Sequence, residues 1–355
     1  FAGVYAKVQN NSGMTAAQAV DNDLTKNNTT GIALLTGYPQ VAYPTGTGFT
    51  QAVQVTLAVQ KRLGFSSLFL DTPPTIETTA TAALVDEGEY CVVALAPTGS
   101  ALLIGGSSNT NMGCGAISNS QDPTQSVGIN GNAHNFIADP VAGVGGISST
   151  INGSPNVLPY QVAMQDPFAG LSTSVPSGMT CQNFQQHLDN QTNTLSPGCY
   201  SNFNAGNGTY TLSPGTYYLN NTNLSLSGQT RLVGNGVTII LTGTDPGSLT
   251  MNGNSSMDLT APTTGDYANI VIIQSPNADY GNNNTINGDN STALDGAVYF
   301  PHGDVTLTGS TTQAFQCAML VGYTVEFTGN ATVQNDTSAC DADMTVSGKR
   351  VRLIA

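Results

Sequence analysis

The sequence predicts a mainly β protein: a parallel β-helix (β-solenoid) preceded by a small α+β N-terminal domain. Three observations predict it. An apolar-x-apolar-x-Gly motif recurs along most of the 355 residues, charged side chains make up only 8% of the chain, and six cysteines fall into three sequence-local pairs.

The motif occurs as Leu102/Ile104/Gly106, Val127/Ile129/Gly131, Leu224/Leu226/Gly228, Leu249/Met251/Gly253, Val305/Leu307/Gly309, Val325/Phe327/Gly329 and Met344/Val346/Gly348, with a weaker copy ending Ile286-Asn287-Gly288. Apolar residues two apart point to one side of a strand. The glycine then permits a corner that a side chain would obstruct. From Gly228 onward the glycines recur after 25, 35, 21, 20 and 19 residues, one coil each, with insertions in the longer ones. One coil cannot bury its apolar side alone, whereas stacked coils share a continuous interior. Asn130, Asn252, Asn287, Thr308 and Thr328 are placed to form polar ladders between coils. The segments Ser196–Tyr200 (SPGCY) and Ser213–Tyr217 (SPGTY) read as turns that start strands. An antiparallel β-sandwich also supplies short strands with Gly turns. Its hairpins, however, place turn signals about every 8–12 residues without a longer period.

Residues 1–89 read as the α+β domain. Phe1–Val8 resembles the continuation of an apolar helix, so the chain is expected to begin after a removed signal or anchor segment, or at a proteolytic cut. The Ala-containing stretch Thr15–Lys26 predicts a helix. Val53, Val55, Leu57 and Val59 alternate with polar or small residues, as do Ile76, Thr78, Ala80, Ala82 and Leu84, which predicts two strands joined by a loop at 64–74. Residues 90–355 form the expected β-helix. An irregular excursion at about 155–195 carries Pro155, Pro159, Pro167 and Pro176, and a short helix is expected near Cys181–Leu188.

Composition narrows the function. Eight Lys and Arg against 22 Asp and Glu leave a net charge of −14, and the only basic clusters are Lys61-Arg62 and Lys349-Arg350-Arg352. Nucleic acids and anionic membranes need more clustered positive charge than this. No run of apolar residues is long enough for a transmembrane segment in the chain. With 39% hydrophobic residues, the chain is no disordered polyelectrolyte. Few ionisable groups also predict little loss of stability on acidification.

The cysteines pair locally as Cys91 with Cys114, Cys181 with Cys199, and Cys317 with Cys340, although six cysteines admit other connectivities. No CxxC spacing occurs, and His134, His187 and His302 lie away from the pairs, so zinc ligation is not expected. Disulfides formed in an oxidising compartment outside the cytoplasm are. Each local pair would contribute roughly 3 kcal/mol through the entropy of the unfolded chain.

β-Helices host polysaccharide lyases and hydrolases. Glycoside hydrolysis requires two carboxylates about 5–9.5 Å apart. Lyases of this architecture require an acidic Ca²⁺ site and a base. The acidic candidates are Asp336, Asp341 and Asp343, then Asp279, Asp289 and Asp295, then Asp21 and Asp23, with Arg231 and Arg350 as the nearest bases. None stands in a catalytic spacing, and solvated turn carboxylates are the expectation. His302 beside Asp304 has the composition of an acid–base pair, but the Pro301-His302-Gly303-Asp304 run also suits a solenoid corner, which is the reading adopted. GxSxG and GxGxxG are absent. Tyr200, Tyr210, Tyr217, Tyr218, Tyr267, Tyr280, Tyr299 and Tyr323 would either line a sugar-stacking face or sit half in the core. Sequons at Asn207, Asn254, Asn330 and Asn335 are the frequency an Asn- and Thr-rich chain produces by chance. No catalytic, cofactor or metal residue is expected.

Several stretches are similar to the TadG-like proteins encoded with Tad/Flp pilus-assembly systems. They are CGAISNS (114–120), ADPVAGV (138–144), LSPGTYYL (212–219), GNGVTIILTG (234–243), LTAPTTGDYANIVIIQ (259–274), GAVYFPHGDVTLTG (296–309) and VEFTGNATV (325–333). Residues 1–24 resemble the part of such proteins just after their N-terminal membrane helix. The resemblance implies export and a role in a bacterial surface appendage or envelope assembly, and brings no catalytic residues. The expectation is a non-enzymatic secreted structural protein, a subunit of an extracellular filament or envelope assembly. Its partners would be copies of itself and other pilus or envelope components. An adhesin holding glycans on the solenoid side and the 275–295 insertion is the alternative, and a polysaccharide-degrading β-helix the third.

Overall fold

The computed structural model describes residues 1–355 apart from 10–12, 29–30, 62–71, 132–134, 187–190, 253, 288–291, 309–311, 331, 339 and 341–343. The chain divides into two compact units. One comprises Phe1–Glu87, Gln161–Ala163 and Gly348–Ala355, the other Gly88–Tyr160 and Met164–Ser347.

In the first unit, α1 (Ala2–Gln9) and α2 (Ala16–Asn27) accompany an antiparallel sheet. The helix expected at Thr15–Lys26 starts with a capping box: Gln18 N donates to Thr15 Oγ1 at 3.2 Å, and Thr15 N to Gln18 Oε1 at 2.9 Å. The strand Thr50–Gln60 pairs antiparallel with Thr75–Ala94 and with Gln40–Ala42. Val4, Ala16, Val53, Ala82, Leu84, Val162 and Val351 make the core of this unit. Gly348–Ala355, expected at the end of the solenoid, belongs here instead. Ile354 N donates to Thr81 O at 2.9 Å, and Arg350 and Arg352 both pair with Glu87. Gly348 therefore lies inside the strand Val346–Leu353 and is no solenoid corner. Most of the loop expected at 64–74 falls outside the described residues.

The second unit is a parallel β-solenoid of about 10 turns. Numbered along the axis, its coils are coil 1 (181–195), coil 2 (198–212), coil 3 (215–235), coil 4 (237–260), coil 5 (270–295), coil 6 (297–316), coil 7 (319–336), coil 8 (90–111), coil 9 (115–137) and coil 10 (141–158). Most coils contribute a strand to each of three faces. The recurring motif marks one of these faces. Leu226, Met251, Ile286, Leu307, Phe327, Ile104 and Ile129 stack in one column through successive parallel pairings, and Leu224, Leu249, Val305, Val325, Leu102 and Val127 lie in a second. Nearly all of these side chains are buried, each worth about 1.5–3 kcal/mol relative to exposure. Asn284 occupies the second column between Leu249 and Val305, and its Oδ1 accepts from Leu249 N at 2.8 Å.

The corners beside these columns stack as well. Asn252 N donates to Leu226 O, Asn287 N to Met251 O, Thr308 N to Ile286 O and Thr328 N to Leu307 O. Gly106 follows at the same corner with φ +66°, and a Cβ there would lie 2.4 Å from Gly329 O. Gly131 and Gly228 also take positive φ at their corners, while Gly253, Gly288 and Gly309 lie outside the described residues.

Axial order departs from chain order. The chain enters at coil 8, winds through coils 9 and 10, and returns along the solenoid's side before starting again at coil 1. Coil 7, the last to be made, then closes onto coil 8 through all three faces: Leu320 faces Val92, Val325 faces Leu102, and Val333 faces Thr110. The returning segment is anchored coil by coil. Met164 exchanges two 2.8 Å bonds with Asn119 of coil 9, Asp166 accepts from Tyr299 of coil 6, and Thr173 meets Ser275 of coil 5 and Thr242 of coil 4. Thus, within this unit, only about residues 164–180 form the side-packing excursion expected at 155–195. Cys181–Gln186 is a strand where a helix was expected, because its parallel register with the next coil sets Phe184 against Phe203 inside the solenoid.

Disulfides join Cys91–Cys114, Cys181–Cys199 and Cys317–Cys340. The first joins the start of coil 8 to the residue just before coil 9, the second joins coil 1 to coil 2, and the third joins residues that flank coil 7 on either side. Among the described residues no helix is long and apolar enough to cross a membrane.

Candidate functional site

The insertion in coil 5 builds one wall of a pocket on the solenoid's exterior. After the buried strand Ile270–Gln274, residues 275–281 turn back on themselves: Ala278 N donates to Ser275 O, and Gly281 N reaches His302 O at 2.8 Å. This places Tyr280 over coils 6 and 7. Tyr280 is 66% exposed, and its ring lies 3.9 Å from the His302 ring and 4.9 Å from that of Tyr323, centroid to centroid. Below it is a cavity of about 260 Å³ lined by Leu95, Pro97, Asp166, Tyr280, Pro301, His302 and Tyr323.

His302 belongs to the strand Ala293–Leu307, at the break in register between Phe300 and Asp304 where the chain changes face. Its Nδ1 lies 3.0 Å from Ala278 O. A carbonyl only accepts, so that nitrogen carries the proton. Asp304 accepts instead from Thr324 Oγ1 at 2.7 Å. On the opposite wall, Asp166 Oδ2 accepts from the Tyr299 hydroxyl at 2.7 Å and Oδ1 from Phe168 N at 2.9 Å. Burial raises the Tyr299 hydroxyl well above the usual tyrosine range, so it stays a donor to Asp166. The pocket thus combines flat aromatic faces with a fixed acceptor, chemistry suited to a ring bearing hydroxyl groups.

The other candidate residues are dispersed. Arg231 is ion-paired with Asp258 at 2.9 Å, and Arg350 with Glu87 at 3.0 Å. Asp21 and Asp23 lie on α2 in the other unit. Asp336 is held below the usual carboxylate range by hydrogen bonds from Ser338, and burial raises Asp295. Asp289, Asp341, Asp343, His134 and His187 lie outside the described residues. Among the described residues no group of three or more His, Cys, Asp or Glu is placed to hold a metal ion. Tyr210, Tyr217 and Tyr299 are core residues, and Tyr200 and Tyr218 are also buried, which leaves Tyr280 as the exposed member of the tyrosine set. Asn335 is buried at 6% exposure, so its sequon is inaccessible in the folded chain.

A second cavity of about 390 Å³ lies at the seam, between Glu89, Asp139, Thr337, Thr345 and the Cys317–Cys340 disulfide. Within the first unit, Leu24, Ile32, Leu34, Leu57, Val59 and Ile76 border an apolar groove of about 710 Å³. Ile76, on the groove's border, is 48% exposed. Comparisons with protein-family models, curated sequences and solved structures returned no match.

Proposed function

We propose that the chain is a non-enzymatic structural protein of the bacterial exterior, a subunit of a filament or envelope surface assembly. The observation that carries this reading is the three-face closure of coil 7 on coil 8, with disulfides at the seam and at the terminal coil. A solenoid so closed acts as one stiff body, since separating any two coils breaks parallel pairing on each face they share. The disulfides support export to an oxidising compartment, and the resemblance to TadG-like proteins supports a place in surface assembly. Immunogold electron microscopy of producing cells tests the reading. Label on surface material is expected, and label confined to the cytoplasm refutes it.

The pocket under Tyr280 favours a second reading, an adhesin that stacks a sugar ring on tyrosine. A glycan array probed with the whole chain tests it: saturable binding that Tyr280→Ala abolishes supports this reading, and a blank array removes it.

A further inference from the structure

The lining of the pocket under Tyr280 departs from the rest of the chain. Asn, Thr and Ser dominate the polar residues of the sequence, yet none of them, and no Gln, Lys or Arg, is among the described residues that border this cavity. Its walls are apolar at Leu95, Pro97 and Pro301, aromatic at Tyr280, Tyr323 and His302, and acidic at Asp166. Side-chain donors are therefore scarce. His302 Nδ1 is committed to Ala278 O, so in the neutral ring Nε2 is an acceptor. Asp166 accepts one bond at each oxygen, from Tyr299 and from Phe168 N, and each oxygen keeps a further lone pair. Acceptors and aromatic faces together suit a group that only donates.

Charge points the same way. The unit formed by Gly88–Tyr160 and Met164–Ser347 contains sixteen acids and a single Lys or Arg, Arg231, which is already paired with Asp258 at 2.9 Å. Asp166 thus has no cationic side chain in its own unit to pair with. Two more carboxylates flank the Tyr280 turn: Asp279 is exposed beside it, and Asp304 Oδ2 would lie 3.6 Å from a Cβ on Gly281. Carboxylates around a cleft raise the local concentration of cations. Tyrosine faces add to this, since a cation within about 6 Å of the ring centroid is attracted by the ring quadrupole. A cavity of about 260 Å³ admits one small head group or sugar residue rather than a larger ligand. Tyr280, 66% exposed at its mouth, offers a flat face on which the ring carrying that charge can lie.

We infer that this pocket binds an amino sugar, whose ammonium group meets Asp166 among the aromatic rings while its own ring stacks on Tyr280. An ammonium has three donors and no acceptor, the complement of this lining. An N-acetylated sugar carries no charge, and its carbonyl would face other acceptors. This deepens the second reading above, that the pocket holds a sugar, and rests on it.

Isothermal titration calorimetry of the whole chain with a glucosamine tetrasaccharide, beside its fully N-acetylated counterpart, tests the inference in mildly acidic buffer, where the amines are charged. The amine form is expected to bind saturably and at least about tenfold more tightly than the acetylated one. Asp166→Asn should weaken it about tenfold. Tyr280→Ala, at an exposed position that spares the core, should abolish binding with an unchanged melting temperature. Asp245→Asn removes the same charge at an exposed position away from the pocket and should change affinity less than about twofold. Equal binding of the two oligomers, lost in Tyr280→Ala, overturns the inference and leaves the sugar reading standing. Binding of neither also overturns it, and the glycan array then decides the sugar reading by itself. Amine binding that survives Tyr280→Ala, or that Asp245→Asn weakens as much as Asp166→Asn, is diffuse attraction to an acidic chain and overturns it as well. So does an ethylammonium ion that competes as strongly as the tetrasaccharide.

Discussion

Asn335 holds the seam, and its removal offers the sharpest test of the axial order. It lies at the end of coil 7, and its Oδ1 accepts from Ala318 N at 3.0 Å. Its Nδ2 donates to Ala318 O at 3.0 Å and to Met112 O, at the end of coil 8, at 3.1 Å. Asn335→Ala deletes these bonds, and a longer one to Cys91 Sγ, in a site only 6% exposed, leaving Ala318 N–H without this acceptor and two carbonyls without this donor. A net hydrogen bond is worth about 1 kcal/mol and an unpaired buried group costs about 1–3 kcal/mol, so the loss should be about 3 kcal/mol. A long stack of coils does not unfold in one step, so a single global stability is the wrong readout. Hydrogen exchange is the right one. A loss of about 3 kcal/mol corresponds to roughly 150-fold faster exchange in peptides covering 88–112 and 312–336. Coils 1–4 should be unchanged, as should a control Asn254→Ala at an exposed position. If exchange at both peptides changes less than about fivefold, or changes in only one of them, the closure of coil 7 on coil 8 argued above is wrong.

Gly106→Ala should lower stability by about 3 kcal/mol or more, because its Cβ would meet Gly329 O at 2.4 Å in a left-handed backbone; thermal melting of the variant checks this. Replacing Cys181 and Cys199 by serine removes a constraint of 18 residues' separation, worth about 3 kcal/mol, and should free the exchange of coil 1 while sparing coils 5–7. Stability should rise, not fall, on mild acidification. Burial raises the carboxyl pKa of both Asp295 and Glu326, the latter also through Asp304, so the folded chain binds these protons more tightly than the unfolded one. Their contribution is complete below the ordinary values of 3.8 and 4.5 and is lost as pH climbs through the raised ones. Asp122 and Asp336, held low by hydrogen bonds, oppose this only towards pH 3.8 and below. The melting temperature should therefore be higher at about pH 5 than at pH 7.5, with Glu326→Gln flattening the difference; a steady fall over that range refutes the assignment.

The candidate pocket was only half legible. The 275–295 insertion and the tyrosines were visible as sequence features, but Tyr280 gains its place from Gly281 bonding back to His302 O, and Asp166 comes from the returning segment. His302 and Asp304 are neighbours in sequence but bond to different partners, which their spacing could not reveal.

Local pattern determined the rung. Alternating apolar residues and corner glycines specify a strand with one buried side, and the columns Leu226–Met251–Ile286–Leu307–Phe327 and Ile104–Ile129 follow from that periodicity. The helix at Ala16–Asn27 was readable for a similar reason, since the Thr15–Gln18 box is made within four residues. Tertiary structure alone decided which rung lies on which. All rungs present similar edges, so Ile104 could follow Phe327 as readily as precede Leu226, and no local signal distinguishes the two. Long-range contacts choose: Met164 on Asn119, Thr173 on Ser275, Asn335 on Met112. Parallel pairing with coil 2 makes Cys181–Gln186 part of the first coil, and bonds within the first unit take Gly348–Ala355 out of the last, because a strand's place is set by the neighbour that completes its hydrogen bonds.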